Sequence, residues 1–132
     1  MDIGASKIGN MGVDVNRWLQ KNEEQMKTHP AWQGDISELS SEKLLKGQPL
    51  LTYLLRQGEK EHSYYISFVK GDGSIKHQRF TLELDQLGWY YRNGVTNGPR
   101  EVTKENINDL IPPMMHCEPP ECIPLLNTIS AG

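Results

Sequence analysis

The sequence has few cysteines, no excess of cations and no long apolar segment, and each shortage excludes a class of protein. Two cysteines in 132 residues cannot form the disulfide framework of a small secreted domain. The net charge of −3 argues against a general nucleic-acid-binding surface, which needs excess positive charge. No apolar run approaches the roughly 18 residues that cross a bilayer, and the first ten residues lack a signal-peptide pattern. We therefore expect a soluble cytoplasmic protein whose partners include neither nucleic acid nor membrane.

The residues that are present follow helical spacing at both ends of the chain and strand-like patterns between them. Gly47 stands where a helix takes its left-handed C-terminal cap, and Thr103 stands where a last helix takes its N-cap, before two prolines that are expected to end it. A Gly-rich start at 1–12 is expected to be loose. The predicted elements are helices at 15–26, 37–46 and 103–113, strands at 51–56, 64–69, 75–84 and 89–92, and a loop at 93–100.

This order of elements predicts an α+β fold, in which a central antiparallel β-sheet is flanked by two α-helices. The helix at 15–26 is then an extra N-terminal helix. The expected organisation is one domain at 29–127, preceded by an extension at 1–28 and followed by a tail at 128–132.

Arg56 stands out because it ends the apolar run Tyr53-Leu54-Leu55, where a buried strand is predicted. A guanidinium stays protonated in proteins, and burying it without a partner costs several kcal/mol. Two explanations remain open at this point. Either a carboxylate of this chain, such as Glu83 or Asp85, meets Arg56, or an anion comes from outside.

Other cationic and hydrogen-bonding groups are expected near Arg56. Strand alternation places His77 and Arg79 on one face of the third strand, close to Arg56 if the first and third strands flank the second. The loop that follows Arg56 adds Lys60, Ser63 and free backbone N–H groups. Such a set is typical of an anion-binding site, although His77 alone is more often structural and Lys60 alone is often a solvated surface residue.

Seven ordered sequence motifs resemble those of the Src-homology-2 family, which binds phosphotyrosine. The resemblance runs from about residue 31 to residue 126. Four motifs that include the family's hallmark arginine strand stand in the first half of the domain, and three more follow. They read AWQGDIS at 31–37, YLLR at 53–56, YYIS at 64–67, IKHQRF at 75–80, GWYY at 88–91, INDLI at 107–111 and ECIPL at 121–125.

The resemblance implies a non-catalytic module without cofactor or metal that binds tyrosine-phosphorylated proteins or peptides. It implies that Arg56 takes the phosphate with both arms of its guanidinium, since a planar fork of donors matches phosphate oxygens. The remaining implied residues fall into two groups. The phosphotyrosine site also takes in Gly58, Glu59, Lys60, Ser63, His77 and Arg79, and the surface that reads the peptide takes in Gln78, Tyr91 and Ile111.

The sequence also departs from the family pattern. Glu38 stands where the family usually has an arginine, so its charge needs compensation, with Lys60 and Arg79 as candidates, and Gly58 replaces the usual loop serine. Gln78 and Tyr91 predict weak selectivity for the residues after the phosphotyrosine. Two hypotheses follow from this divergence: a degenerate scaffold that binds partners without phosphate, and a bacterial effector that is secreted into host cytoplasm.

The segment that contains Cys117 and Cys122 allows two other chemistries. His116-Cys117 begins like the tyrosine phosphatase motif, but Ile123 stands where that motif needs its arginine, which argues against catalysis. A zinc site would lack a fourth ligand at the usual spacing. We therefore expect two reduced, structural cysteines.

Overall fold

A six-stranded sheet organises the chain. The computed structural model describes residues 3–83, 88–92 and 101–126. The strand order is β5-β4-β3-β2-β1-β6, and every neighbouring pair is antiparallel except β1 with β6. The elements are α1 Ile3–Lys27, α2 Glu38–Leu45, β1 Thr52–Gln57, β2 Ser63–Val69, β3 Ile75–Glu83, β4 Gly88–Arg92, β5 Glu101–Lys104, α3 Ile107–Met115, a 3-10 helix Pro119–Glu121 and β6 Ile123–Pro124.

The sheet separates two apolar clusters, which confirms the predicted arrangement of a helix on each face. On one face, Leu45 of α2 packs with Leu54 and Val69. Alternation along the strands turns their neighbours to the opposite face, where the larger core lies. That core joins Met26, Tyr53, Leu55, Tyr64, Ile66, Phe68, Phe80 and Trp89 to the α3 residues Ile107, Leu110, Ile111, Met114 and Met115.

Helix α2 is one residue shorter at each end than the predicted range 37–46, and its C-cap is Lys46, in an extended conformation, with Gly47 directly after it. The Oγ of Ser37 accepts a hydrogen bond from the Ser40 N–H at 3.0 Å, so Ser37 is the N-cap. Gly47 has a φ of 82°, a left-handed conformation that glycine adopts without steric cost.

The N-terminal helix is longer than predicted. It begins at Ile3, so the expectation of a loose segment is wrong for residues 3–12. A helix that is already nucleated gains one hydrogen bond for each residue added, and this segment contains no proline to stop it. Met26 is fully buried and Asn22 is nearly so, which places the last turns of α1 on the core.

The predicted start and end of the last helix are both wrong. Thr103 lies in β5, a strand that the sequence analysis missed, and the N-cap is Asn106, whose side chain accepts from Asn108 N–H at 2.8 Å. Pro112 and Pro113 lie inside α3. Their rings remove two backbone donors, but burial of Met114 and Met115 offsets that cost by keeping the helix on the core.

Two further predictions reach beyond the described residues. The third strand is described as far as Glu83, and residue 84 lies outside the described residues, as does the predicted loop at 93–100. The sequence analysis also did not predict the short strand β6, Ile123–Pro124. Among the described residues, no helix combines the length and the apolar character that are needed to span a bilayer.

Candidate functional site

Arg56 lies near the end of β1 on the α2 face of the sheet, and only 6% of its surface is exposed. Residues 31–34 run beside β1, where Gln57 N–H donates to Gly34 O at 3.0 Å and Leu55 N–H to Ala31 O at 2.9 Å. This pairing brings the start of α2 next to the guanidinium. Burial lowers the pKa of Arg56, while the nearby carboxylates, Glu38 foremost, act in the opposite direction.

A chain of hydrogen bonds holds the guanidinium in place. Arg56 Nε donates to Ser67 Oγ at 3.1 Å, and Ser67 Oγ lies 2.7 Å from His77 Nδ1. Arg56 Nη2 also lies 3.3 Å from that nitrogen. Because guanidinium can only donate, Nδ1 is the acceptor, and His77 carries its proton on Nε2, which donates to Glu42 Oε2 at 2.9 Å. The chain therefore links α2 to three neighbouring strands through Arg56.

The predicted proximity of Arg56 and His77 is thus present. Both ring nitrogens of His77 already have partners within the protein, and its direct contact with phosphotyrosine stays a prediction. Glu38, Glu42 and His77 are also the one group among the described residues whose ligand atoms converge, within 4.8 Å of one another. The adjacent Arg56 cation makes a metal ion unfavourable there.

Tyr65 lies between the two predicted arginines of the site. Arg56 is paired with Tyr65 across β1 and β2, and Tyr65 with Arg79 across β2 and β3, so the three side chains share one face. The guanidinium carbon of Arg56 lies 4.5 Å from the centroid of the Tyr65 ring, a cation–π contact. The Tyr65 hydroxyl donates to Glu59, with its oxygen 3.0 and 3.1 Å from the two carboxylate oxygens.

The loop after Arg56 closes through a short backbone contact. Gly58 N–H donates to Ser63 O at 2.8 Å, and a Cβ on Gly58 would lie 2.6 Å from that oxygen. The usual serine of the family does not fit in this backbone conformation. Ser63 itself is buried, and its Oγ has no hydrogen-bond partner in the described part of the chain. Lys60 is exposed at the tip of the loop.

A cavity of about 270 Å³ opens beside Arg56. Three carboxylates, from Asp35, Glu38 and Glu59, stand around the single arginine. Of the residues predicted to surround the phosphate, Lys60, Ser63, His77 and Arg79 do not line this cavity. The lining residues are Asp35, Ile36, Ser37, Glu38, Arg56, Gln57, Gly58, Glu59 and Tyr65.

Glu38 therefore lies close to Arg56. Neither of the compensating cations proposed from sequence, Lys60 and Arg79, forms an ion pair with it in the described regions. The negative charge of Glu38 instead acts on Arg56, where it opposes the lowering of the guanidinium pKa by burial.

The residues predicted to read the peptide do not form one open surface. Gln78 and Tyr91, together with Arg79, line a smaller cavity of about 170 Å³. The Tyr91 hydroxyl donates to Pro113 O at 3.0 Å, which ties β4 to α3. Ile111 is 2% exposed and lies in the core.

Three site residues were missed from the sequence: Tyr65, Ser67 and Glu42. The sequence analysis named Tyr65 and Ser67 only as part of the YYIS motif. Strand alternation places both on the same face of β2 as Ser63, and this was the signal that could have identified them. Which of them meets Arg56 depends on the register of β1 and β2, and the sequence of the connecting loop did not define that register. Glu42 meets His77 only because α2 docks against β3.

The motifs that carry the family resemblance fall on the expected elements. AWQGDIS precedes α2, YLLR lies in β1, YYIS in β2, IKHQRF in β3, GWYY in β4 and INDLI in α3. The order of the antiparallel strands follows the chain from β1 to β5, with a helix on each face. The fold is Src-homology-2-like.

No family model matches the chain, and no curated protein matches it. Among solved structures, the chain is similar to the Src-homology-2 domain of a CRK/CRKL homologue from Monosiga brevicollis. That match has 24% identity over 42% of this chain and 54% of that chain, with a TM-score of 0.40. The chain is also similar to the Src-homology-2 domain of human proto-oncogene protein VAV1, with 20% identity over 48% of this chain and 45% of that chain, and a TM-score of 0.42. The matches span about half of each solved chain.

Proposed function

We propose that this chain is a non-catalytic module that binds phosphotyrosine in tyrosine-phosphorylated proteins, with Arg56 as the phosphate-binding residue. The observation that carries the proposal is the environment of Arg56. Its side chain is buried against a hydroxyl, an imidazole nitrogen and an aromatic ring, and no carboxylate forms an ion pair with it among residues 3–83, 88–92 and 101–126. A buried cation without an ion-pair partner favours an anion from outside.

The position of Arg56 supports a phosphate on a long stem. The guanidinium lies below the Tyr65 ring and beside the first turn of α2, so a ligand has to reach into the cavity to meet it. A phosphotyrosine extends its dianion further from the backbone than phosphoserine does. Its three acceptor oxygens match the fork of guanidinium donors. We therefore expect phosphotyrosine to be preferred over phosphoserine.

The acidic lining of the cavity favours a second candidate function. Asp35, Glu38 and Glu59 repel a phosphate dianion, and Arg56 alone opposes them in the lining. In the second candidate the pocket is degenerate, and the domain is a scaffold that binds its partners without phosphate.

A binding assay with a fluorescent phosphotyrosine peptide distinguishes the two functions. The same peptide without phosphate and a phosphoserine version are the ligand controls. Arg56→Leu removes the proposed contact, and Arg17→Leu, at an exposed position of α1, removes an arginine elsewhere. Binding that requires both the phosphate and Arg56, and that weakens as salt rises, supports the module. Equal affinity for both peptides, or no loss in Arg56→Leu when circular dichroism shows a folded variant, supports the scaffold.

Two finer hypotheses go with the binding function. Gln78 and Tyr91 predict weak selectivity for the third residue after the phosphotyrosine, and a peptide panel that varies this residue tests it. A spread of affinities well above tenfold contradicts weak selectivity. Delivery of the protein into host cytoplasm stays a hypothesis that rests on the divergent sequence alone.

A further inference from the structure

The two cysteines, which the proposed binding function does not use, lie against each other. Cys117 follows the C-terminal cap of α3, and Cys122 follows the 3-10 helix Pro119–Glu121. Their sulfur atoms are 2.6 Å apart. Both side chains are half-buried and pack against the core on the α3 face. The fold therefore brings the two sulfur atoms together.

Hydrogen bonds and proline rings fix the turn between the cysteines. Cys117 N–H donates to Pro112 O at 3.2 Å, and Cys122 N–H donates to Pro119 O at 3.3 Å. Glu118 N–H donates to the Glu121 carboxylate at 2.8 Å, which closes a capping box over the same turn. Pro119 and Pro120 restrict φ at two of the four intervening residues. The short distance between the sulfurs is thus a property of an ordered turn.

We propose that Cys117 and Cys122 form an oxidative modification site, which closes to an intramolecular disulfide by exchange with a low-molecular-weight disulfide such as glutathione disulfide. A disulfide joins its sulfurs at about 2.05 Å, so closure needs a side-chain movement of roughly 0.5 Å from the observed separation. Two thiols held this close react with a high effective concentration.

The exchange proceeds in two steps that balance. One cysteine thiolate attacks glutathione disulfide, forms a mixed disulfide and releases one glutathione. The other cysteine then attacks the protein sulfur of the mixed disulfide and releases the second glutathione. The protein loses two electrons and two protons, and the reagent takes them up as two glutathione thiols.

Burial and the hydrogen bond with Cys117 raise the pKa of Cys122 to about 12. The thiolate is the attacking form in the exchange. Either cysteine can make the first attack, because the other sulfur lies beside it and can resolve the mixed disulfide.

The bond would tie the end of α3 to the edge strand β6. This strand is two residues long and is held to β1 by Ile123 N–H to Leu51 O at 2.9 Å, followed by Leu125 N–H to Tyr53 O at 2.8 Å. A short edge strand with few hydrogen bonds opens easily. A covalent link immediately before it restricts that opening, so the oxidised domain should be the more stable form.

The test is intact-mass analysis of the full chain after equilibration in glutathione buffers from reducing to oxidising, followed by acid quench and alkylation. The expected wild-type product is monomeric, has lost the mass of two hydrogens and takes no alkylating reagent; dithiothreitol restores two alkylatable thiols. Cys117→Ser and Cys122→Ser should each carry one glutathione instead. Two free thiols, two glutathione adducts or a disulfide-linked dimer of the wild type in oxidising buffer would overturn the proposal.

A thermal melt of the oxidised and reduced wild type adds an independent readout and needs no folded variant. We expect the midpoint of the oxidised form to be higher by at least about 4 °C. A lower midpoint would mean that the bond distorts the turn, which overturns the inference that the native turn is built for it. Neither measurement uses a phosphopeptide, so both outcomes are independent of the proposed binding function.

Discussion

The Tyr65 ring covers the guanidinium of Arg56, and the Tyr65 hydroxyl holds the carboxylate of Glu59. This contact holds the acidic side chain of Glu59 in the lining of the cavity beside Arg56. The negative charge of Glu59 is one of those that oppose the lowering of the Arg56 pKa by burial. A phosphate that approaches Arg56 has to displace this carboxylate or tolerate its repulsion.

Glu59→Gln is expected to increase the affinity for a phosphotyrosine peptide by about two- to fivefold, because it removes a partly solvated negative charge from the cavity lining. Fluorescence anisotropy at low and high salt measures the change, and the gain should shrink at high salt. Glu61→Gln is the matched control, since it makes the same charge change in the same loop at a side chain that is 85% exposed. Equal gains in both variants would indicate a general effect of net charge.

His77→Ala is expected to lower the free energy of unfolding by about 1–3 kcal/mol, because it leaves buried donors of Ser67 and Arg56 without their acceptor. Urea denaturation monitored by tryptophan fluorescence measures this. His116→Asn is the control, since His116 is exposed and asparagine tolerates its φ of 56°. A loss no larger than that of the control would mean that the hydrogen-bond chain contributes little to stability.

The end of a helix could be predicted from the sequence where a single residue type determines the local backbone conformation. The positive φ of Gly47 just after α2 was predicted, because glycine adopts that conformation without steric cost, whereas the role of Ser37 as N-cap was not predicted. Pro112 and Pro113 gave a wrong prediction of where α3 ends, because proline usually ends a helix. The packing of Met114 and Met115 on the core, which explains why α3 continues, is not visible in the local sequence.

The candidate site was predicted only in part. Arg56 was identifiable because a charge ends an apolar run. The contact between Glu42 and His77 depends on the docking of a helix on a strand 35 residues away in the chain. The proximity of Cys117 and Cys122 depends on the αL cap at His116 and the 3-10 helix after it, and neither element was predicted.

Gly58→Ala is expected to lower the free energy of unfolding by about 1–3 kcal/mol, because the new methyl group would lie 2.6 Å from Ser63 O and 2.7 Å from Ser63 Oγ. The loop has to shift away from Arg56 to accept it, so phosphopeptide affinity should fall as well. Gly71→Ala is a matched control in another loop, where a Cβ meets no atom within 4 Å. Urea denaturation of both variants measures the difference, and equal stabilities would show that the loop adapts to a side chain without cost.

The last prediction concerns His29, which joins the end of α1 to α3. Its Nε2 bonds to Asn108 Oδ1 at 2.8 Å, and its Nδ1 accepts from Ala31 N–H at 3.1 Å. Burial lowers the pKa of His29 below its ordinary value of 6.5, an effect that the bond to Asn108 only partly opposes. The unfolded chain therefore binds this proton more readily than the folded chain does.

The sign of the pH dependence follows from that difference. The contribution of neutral His29 to stability is fully present above the unfolded pKa and is lost as the pH falls below about 6.5. Protonation of Nδ1 would also break the bond from Ala31. We expect the free energy of unfolding, measured with urea between pH 5 and pH 8, to fall less steeply toward acid in His29→Gln than in the wild type. Parallel curves would mean that His29 titrates alike in the folded and unfolded chain.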